Sequence, residues 1–306
     1  MKHVILFSEL ILLLVGGGHE WRVQSSELKV ENDWRLQIDD CRLEKTLPDS
    51  IAVPEGCSVL ALDEEYNLLL LNPEEGLVHK VLAPDYDSII TAGGRGVRTE
   101  GLLAPTDLEV QSRQRIFVLD EAQRRAVILS ANLRPAEAID FLESDRGEQG
   151  PDFPIDMAVS PAGELYVLDG LNAQIYMYDA YGKQRLAFGG QDYGDGALYT
   201  PTAIDIDAKT RQVWVLDTTR KELVVFSRFG EYLFSSPYPS PSDIRSISLS
   251  GDWRVLLGPK TLVIQSATAT SFKKRLKLEE PWNQSVCMVG DRMYILRGNT
   301  VWVETL

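Results

Sequence analysis

At 306 residues and a net charge of −14, from 31 basic against 45 acidic side chains, the chain is long enough for a sizeable core. It is too acidic for clustered Lys and Arg to grip a phosphate backbone, which argues against a nucleic-acid partner. Hydrophobic residues make up 44% and charged residues 25%, a globular balance that excludes disorder, collagen and a multi-span membrane protein.

In chain order, the N-terminus comes first. Lys2 and His3 precede an apolar run from Val4 to Val15 and then Gly16, Gly17 and Gly18, the basic, hydrophobic, small order of a secretory signal peptide, interrupted by Glu9. Residues 1–24 therefore read as a signal peptide, and 25–306 as an exported domain of the periplasm or cell surface. The run is too short for a transmembrane span. Cys41, Cys57 and Cys287 are odd in number and lack C-x-x-C spacing, which argues against structural zinc. After export, Cys41 and Cys57 become available to pair with each other.

From residue 58 on, one β-rich segment recurs six times: Ser58–Asp63, Arg115–Asp120, Glu164–Asp169, Gln212–Asp217, Asp252–Leu257 and Arg292–Arg297, with last residues 57, 49, 48, 40 and 40 apart. Each is followed by a second apolar run, which makes a repeated hairpin. A third strand precedes several copies, announced by Pro105, Pro154, Pro201 or Pro241, and a fourth follows, as in Lys183–Phe188. Four strands per unit, without a sustained helical period, predict an all-β fold, a six-bladed β-propeller of four-stranded blades. The sixth unit ends without its fourth strand, so an N-terminal strand, Trp34–Ile38 or Cys41–Leu47, is expected to complete the last blade and close the ring.

The units resemble NHL repeats, most closely in Phe153–Phe188. There Pro154, Ile155–Val159, Gly163, Leu165–Asp169, Asn172, Ile175–Asp179 and Gly182 follow that family's pattern, from which the first, fifth and sixth units depart. The resemblance implies a six-bladed binding platform. The leading expectation is thus a monomeric, non-enzymatic scaffold that binds an envelope or extracellular protein or a surface ligand. Its candidate contacts are the charged tips of the inter-blade loops: Arg95 and Arg98, Asp145 and Arg146, Asp192 and Asp195. Leu102, Phe153 and Leu198 are expected to pack inward beneath those tips.

Two further sets of carboxylates stand out. Asp63, Asp120, Asp169 and Asp217 each end a repeat and precede a turn, where Asp accepts hydrogen bonds from following amides; this is a structural role. Asp107, Asp156 and Asp243 each stand two residues after a proline, at the start of an innermost strand. Converging at the channel mouth, they could offer oxygen ligands to a hard cation such as Ca²⁺. That is the alternative expectation, a calcium-dependent hydrolase or lactonase; the scaffold reading needs no cofactor. With His3, His19 and His79 the only histidines, zinc-hydroxide chemistry or a Ser-His-Asp triad has little material, and His79 reads as an outer-strand residue.

Overall fold

In the computed structural model, residues 50–306 are described except 99–100, 113–114, 143–148, 193, 239–243, 252, 259–260, 267–271, 278–284 and 306. Before residue 50 only short backbone strands are described. The chain divides at Pro48. In the first unit Val4–Phe7 pairs with Leu10–Leu13 and Trp21–Val23 with Leu43–Lys45, both antiparallel.

The second unit, Asp49–Leu306, holds six four-stranded antiparallel sheets in succession, the blades of a propeller. In blade 3 the order from the channel outward is Pro154–Val159, Leu165–Asp169, Gln174–Tyr178 and Gln184–Gly189. All five side chains of Leu165–Asp169 are buried, whereas Pro135–Asp140, the outer strand of blade 2, is mostly exposed. A strand sandwiched between two neighbouring blades loses the apolar–polar alternation, and an outer strand with one wet face keeps its polar residues. The core is accordingly a series of seams between blades. Ala158, Tyr166, Leu168 and Ile175 of blade 3 meet Ile204, Val213, Val215 and Val224 of blade 4 in one of them.

The ring closes as expected in kind, but the strand is a different one. Ser50–Ala52 pairs with Thr300–Trp302 as the outer strand of blade 6, and Val53 N donates to Asn299 O at 2.9 Å. The first repeat is also shifted. Ser58–Asp63 does not match the second strands of the other blades, because Val59–Leu62 is the innermost strand of blade 1 and Leu68–Asn72 the second. Asn72, not Asp63, therefore stands where Asp120, Asp169 and Asp217 stand.

Those three aspartates are fully buried, and each ties two loops together. Asp169 accepts hydrogen bonds from the amides of Asp152 (3.0 Å) and Phe153 (3.3 Å) in the preceding inter-blade loop, and from Leu171 (2.9 Å) and Asn172 (3.3 Å) in the following turn. Asp217 repeats this with Tyr199, Thr200, Thr219 and Arg220, and Asp120 holds Leu103 and Ala104. A carboxylate has enough lone pairs for four such donors, so one side chain satisfies amides that would otherwise lack partners. Asn72 does the equivalent with an amide group, donating to Glu55 O at 3.2 Å and accepting from Glu75 N at 3.1 Å.

Glycine is required at 230, in the turn between the two outer strands of blade 4. Its φ is +81°, and an added Cβ would lie 2.6 Å from Cγ of Phe188 in blade 3. Gly230→Ala should destabilise the domain by about 1–3 kcal/mol, measured by urea unfolding, because both the backbone and the neighbouring ring must shift.

Candidate functional site at the channel

The inner strand of each blade has a partner on one side only. Its other edge borders the channel, where unpaired N–H groups need acceptors. Carboxylates supply them across blade boundaries. Asp107 of blade 2 accepts from Met157 N of blade 3 at 3.1 Å, Asp156 of blade 3 from Ile204 N of blade 4 at 2.8 Å, and Asp205 of blade 4 from Leu249 N of blade 5 at 2.6 Å. Asp107 and Asp205 also accept from the amides that follow them, Leu108 (2.8 Å) and Ile206 (2.6 Å).

Register sorts these groups into two levels. Asp107 pairs with Leu119 and Asp156 with Leu168, one step below the loop-bearing mouth. Glu109 pairs with Phe117 and Asp205 with Trp214, two residues deeper. Ala203 and Ala158 occupy the complementary places in blades 4 and 3. Asp107 and Asp156 stand at one level on neighbouring blades, and their carboxyl groups act on each other. Burial raises both, and the charge of Asp107 pushes Asp156 well above the carboxylate range. Asp243 lies outside the described residues.

The deeper carboxyls were not singled out from the sequence, because only the second residue after each proline was compared. The signal was present two residues further on, where Glu109 and Asp205 point to the same side of their strands. Burial, then the charges of Asp107 and Asp205, pushes Glu109 well above its ordinary value. Burial pushes Asp205 up to about 7 against the opposing pull of its two amide donors. Cys287 of blade 6 shares this level, and burial with the nearby Glu109 and Asp205 raises its thiol to about 12.

The oxygens of Asp107 are both occupied by amides, and Asp156 divides its carboxyl between Ile204 and Asp107. A hard cation at this level would have to draw these oxygens away from the amides. Among the described residues no group of three His, Cys, Asp or Glu is arranged to hold a metal ion.

The loop tips fall out as follows. Arg95 donates to Glu74 O at 3.0 Å, Arg98 O accepts from Arg125 at 3.1 Å, and Asp195 O accepts from Arg220 at 2.8 Å, so these positions brace their own loops. Asp192 is exposed; Asp145 and Arg146 lie outside the described residues. Leu102 and Leu198 pack inward, but Phe153 is 46% exposed, and Tyr199, in the loop before the inner strand of blade 4, is 50% exposed. The amides held by Asp169 and Asp217 fix both residues in the loops that lead into their inner strands. His79 is buried on the third strand of blade 1, with Nδ1 2.9 Å from Thr91 Oγ1; burial lowers its pKa. Cys57 is a buried free thiol raised to about 11 by burial, and Cys41 lies outside the described residues.

No family model and no curated protein matches the chain. Solved structures do. A catalytically inactive histidine variant of virginiamycin B lyase from Staphylococcus aureus, with quinupristin, superposes with a TM-score of 0.60 at 10% identity, covering 99% of this chain and 94% of that one. The selenomethionine-substituted lyase from the same organism gives 0.59 at 10% identity over 84% and 98%. A streptogramin B lyase structure gives 0.59 at 12% identity over 84% and 86%. The chain is a six-bladed propeller.

At such identities the likeness carries the fold alone. It nevertheless corrects the expectation of a non-enzymatic scaffold, which leaned on the fold as a binding platform: the propellers this chain resembles are lyases. Among the described residues no helix is long and apolar enough to cross a membrane.

Proposed function

We propose that the protein is a propeller hydrolase that cleaves a small carboxylic ester or lactone at the channel mouth by carboxyl acid–base chemistry. The observation that carries this reading is the interacting pair Asp107–Asp156, one residue step below the mouth, in which burial and then the charge of Asp107 push Asp156 well above its ordinary value. Two close carboxyls cannot both ionise readily, and the proton retained is available to a reacting oxygen.

In this reading Asp156 is the group that meets substrate, since it keeps some exposure to the channel while Asp107 lies deeper in the wall. Asp156 gives its proton to the departing alkoxide oxygen as water adds to the acyl carbon. It then recovers a proton from that water, so the net change is one water consumed and one C–O bond cleaved. Asp107, fixed by two amides, holds Asp156 in place. Phe153 and Tyr199 form an apolar rim suited to an aryl or alkyl ester. Export to the periplasm or cell surface belongs to the same proposal and rests on the composition of residues 1–24.

The test uses the full chain against phenyl acetate and a series of γ- and δ-lactones. Asp156→Asn keeps an acceptor for Ile204 N and a donor for Asp107, so the fold should persist while turnover falls by about 10²–10⁴-fold. Turnover equal to wild type in Asp156→Asn, or none in the wild type across the panel, sinks the proposal.

A further inference from the structure

Blade 3 differs from its neighbours at the corner where its inner strand leaves the mouth. Pro105, Pro154 and Pro201 pair with Asp120, Asp169 and Asp217 in blades 2, 3 and 4, so the residues around these pairs match position by position. Beside the prolines stand Ala104 and Thr106 in blade 2, Phe153 and Ile155 in blade 3, and Thr200 and Thr202 in blade 4. After the aspartates come Glu121 and Ala122, then Gly170 and Leu171, then Thr218 and Thr219. The corner of blade 4 is thus built of four threonines, whereas the blade that carries Asp156 has no polar side chain at any of the matching places.

Backbone hydrogen bonds fix the corner in both blades. In blade 4, Thr200 Oγ1 lies 2.7 Å from Thr219 Oγ1, and Thr218 Oγ1 donates to Thr200 O at 3.1 Å, so side chains at these places meet. In blade 3 a single oxygen of Asp169 accepts from Phe153 N at 3.3 Å and from Leu171 N at 2.9 Å, and Gly170 N donates to Phe153 O at 2.9 Å. Phe153 and Leu171 therefore occupy the places where Thr200 and Thr219 touch, and both are open to solvent, at 46% and 64%. Between them Gly170 leaves room for Ile155, since a Cβ there would lie 3.0 Å from Ile155 Cδ1 and Cγ2. Ile155 directly precedes Asp156 and is the extra residue of the register slip between Pro154 and Asp156.

We propose that this corner seats an unbranched alkyl chain carried by the departing oxygen, so that the substrate is the ester of a short acid with an aliphatic alcohol; this rests on the hydrolase reading above. Asp156 hands its proton to that oxygen, so the group the oxygen carries begins at blade 3, while the acyl carbon must face the channel to receive water. From Asp156 up to Phe153 the strand rises about 10 Å, the span of an extended chain of about six to eight carbons. Covering Ile155, Phe153 and Leu171 removes apolar surface from water, whereas the same chain on blade 4 would have to strip hydroxyls of theirs.

The experiment measures kcat/KM of the full chain by pH-stat on ethyl, butyl, hexyl and octyl acetate, and on ethyl octanoate, which carries a long tail on the acyl side instead. Each methylene buried is worth about fourfold, so octyl acetate should exceed ethyl acetate by about 50-fold with half of the added chain covered. Ethyl octanoate should show no comparable gain. Phe153→Thr/Leu171→Thr copies blade 4 at two exposed positions and should cut the octyl-to-ethyl ratio by about tenfold or more. Tyr181→Ser, in the turn before the outer strand of the same blade, should leave the ratio unchanged. A ratio near unity in the wild type, an equal gain on ethyl octanoate, or a ratio untouched in the double variant overturns the alkyl seat and leaves ester cleavage standing. If no ester is cleaved, the hydrolase reading falls and calorimetry with 1-octanol and 1-butanol decides the corner. Tighter binding of octanol that the double variant loses supports the seat; equal affinities, or no binding, overturn it.

Discussion

Asp169→Ala is expected to lower the stability of the propeller by at least about 3 kcal/mol, and to do so without touching an apolar contact. Its carboxylate accepts four backbone amides, two from each of two loops, and the Asn172 side chain at 2.9 Å. Hydrogen bonds to a charged group contribute about 1.5–3 kcal/mol each, and removing the acceptor leaves buried donors unmet. The loss falls short of a simple sum, since the freed loops can relax and admit water. Asp169→Asn should lie between wild type and alanine, because an amide offers one acceptor oxygen where the carboxylate offers two. Asp179→Ala is the control. Asp179 also caps a turn, accepting from Tyr181 and Lys183, but in an open hairpin where water substitutes readily, so its loss should be several-fold smaller. Equal effects at the two positions would mean that burial of the amides is not what gives Asp169 its weight.

This clamp explains why the repeat could be read from the sequence and where the reading slipped. A strand-terminal Asp with an apolar strand before it and a turn after it is legible because one residue type serves one geometry three times over, at 120, 169 and 217. In blade 1 the same geometry is served by Asn72, while Asp63 follows an equally apolar strand, and the pattern locked onto the wrong member. Counting from Asn72, the first interval becomes that of the next two blades. The closing strand was misplaced for a related reason. Ser50–Ala52 has three residues with only Ile51 buried, so it carries almost no periodic signal and is defined by its pairing with blade 6.

The channel was half legible. Asp107 and Asp156 share an offset from proline, and that offset is a true structural level. Whether two carboxylates at one level bind a cation or share a proton depends on what else approaches their oxygens. Here the competitors are backbone amides of the next blade, which leave no mark in sequence. Asp205 was hidden because blade 4 places its carboxyl two residues later, opposite Trp214 rather than Leu216.

Lys80→Met is expected to cost about 3–5 kcal/mol, the range for leaving one half of a buried ion pair without its partner. Lys80 Nζ lies 2.8 Å from Asp63, with both side chains almost fully enclosed, and donates to Ala131 O of blade 2 at 3.3 Å. Burial alone would raise Asp63. Hydrogen bonds from the Asn67 side chain, Lys80 and the Asn67 amide, together with the Lys80 charge, reverse this and hold it below the ordinary carboxylate range. Its contribution is thus present above about pH 4 and fades as pH falls through the lowered folded value. Asp63→Asn/Lys80→Met removes both charges and keeps an acceptor for the turn amides of Glu65 and Asn67, so it should recover most of the loss. The double-mutant cycle, read by urea unfolding at pH 7, should return a coupling above about 1.5 kcal/mol. A coupling near zero would mean that Lys80 acts through its bond to Ala131 O of blade 2 and not through the ion pair within blade 1. The distinction matters for the ring as a whole. Blades 2 to 5 are linked along the channel by carboxyls that favour low pH, whereas this pair requires an ionised Asp63. The channel carboxyls lose their contribution as pH rises above about 4 and Asp63 loses its own as pH falls below that, so stability should peak near pH 4.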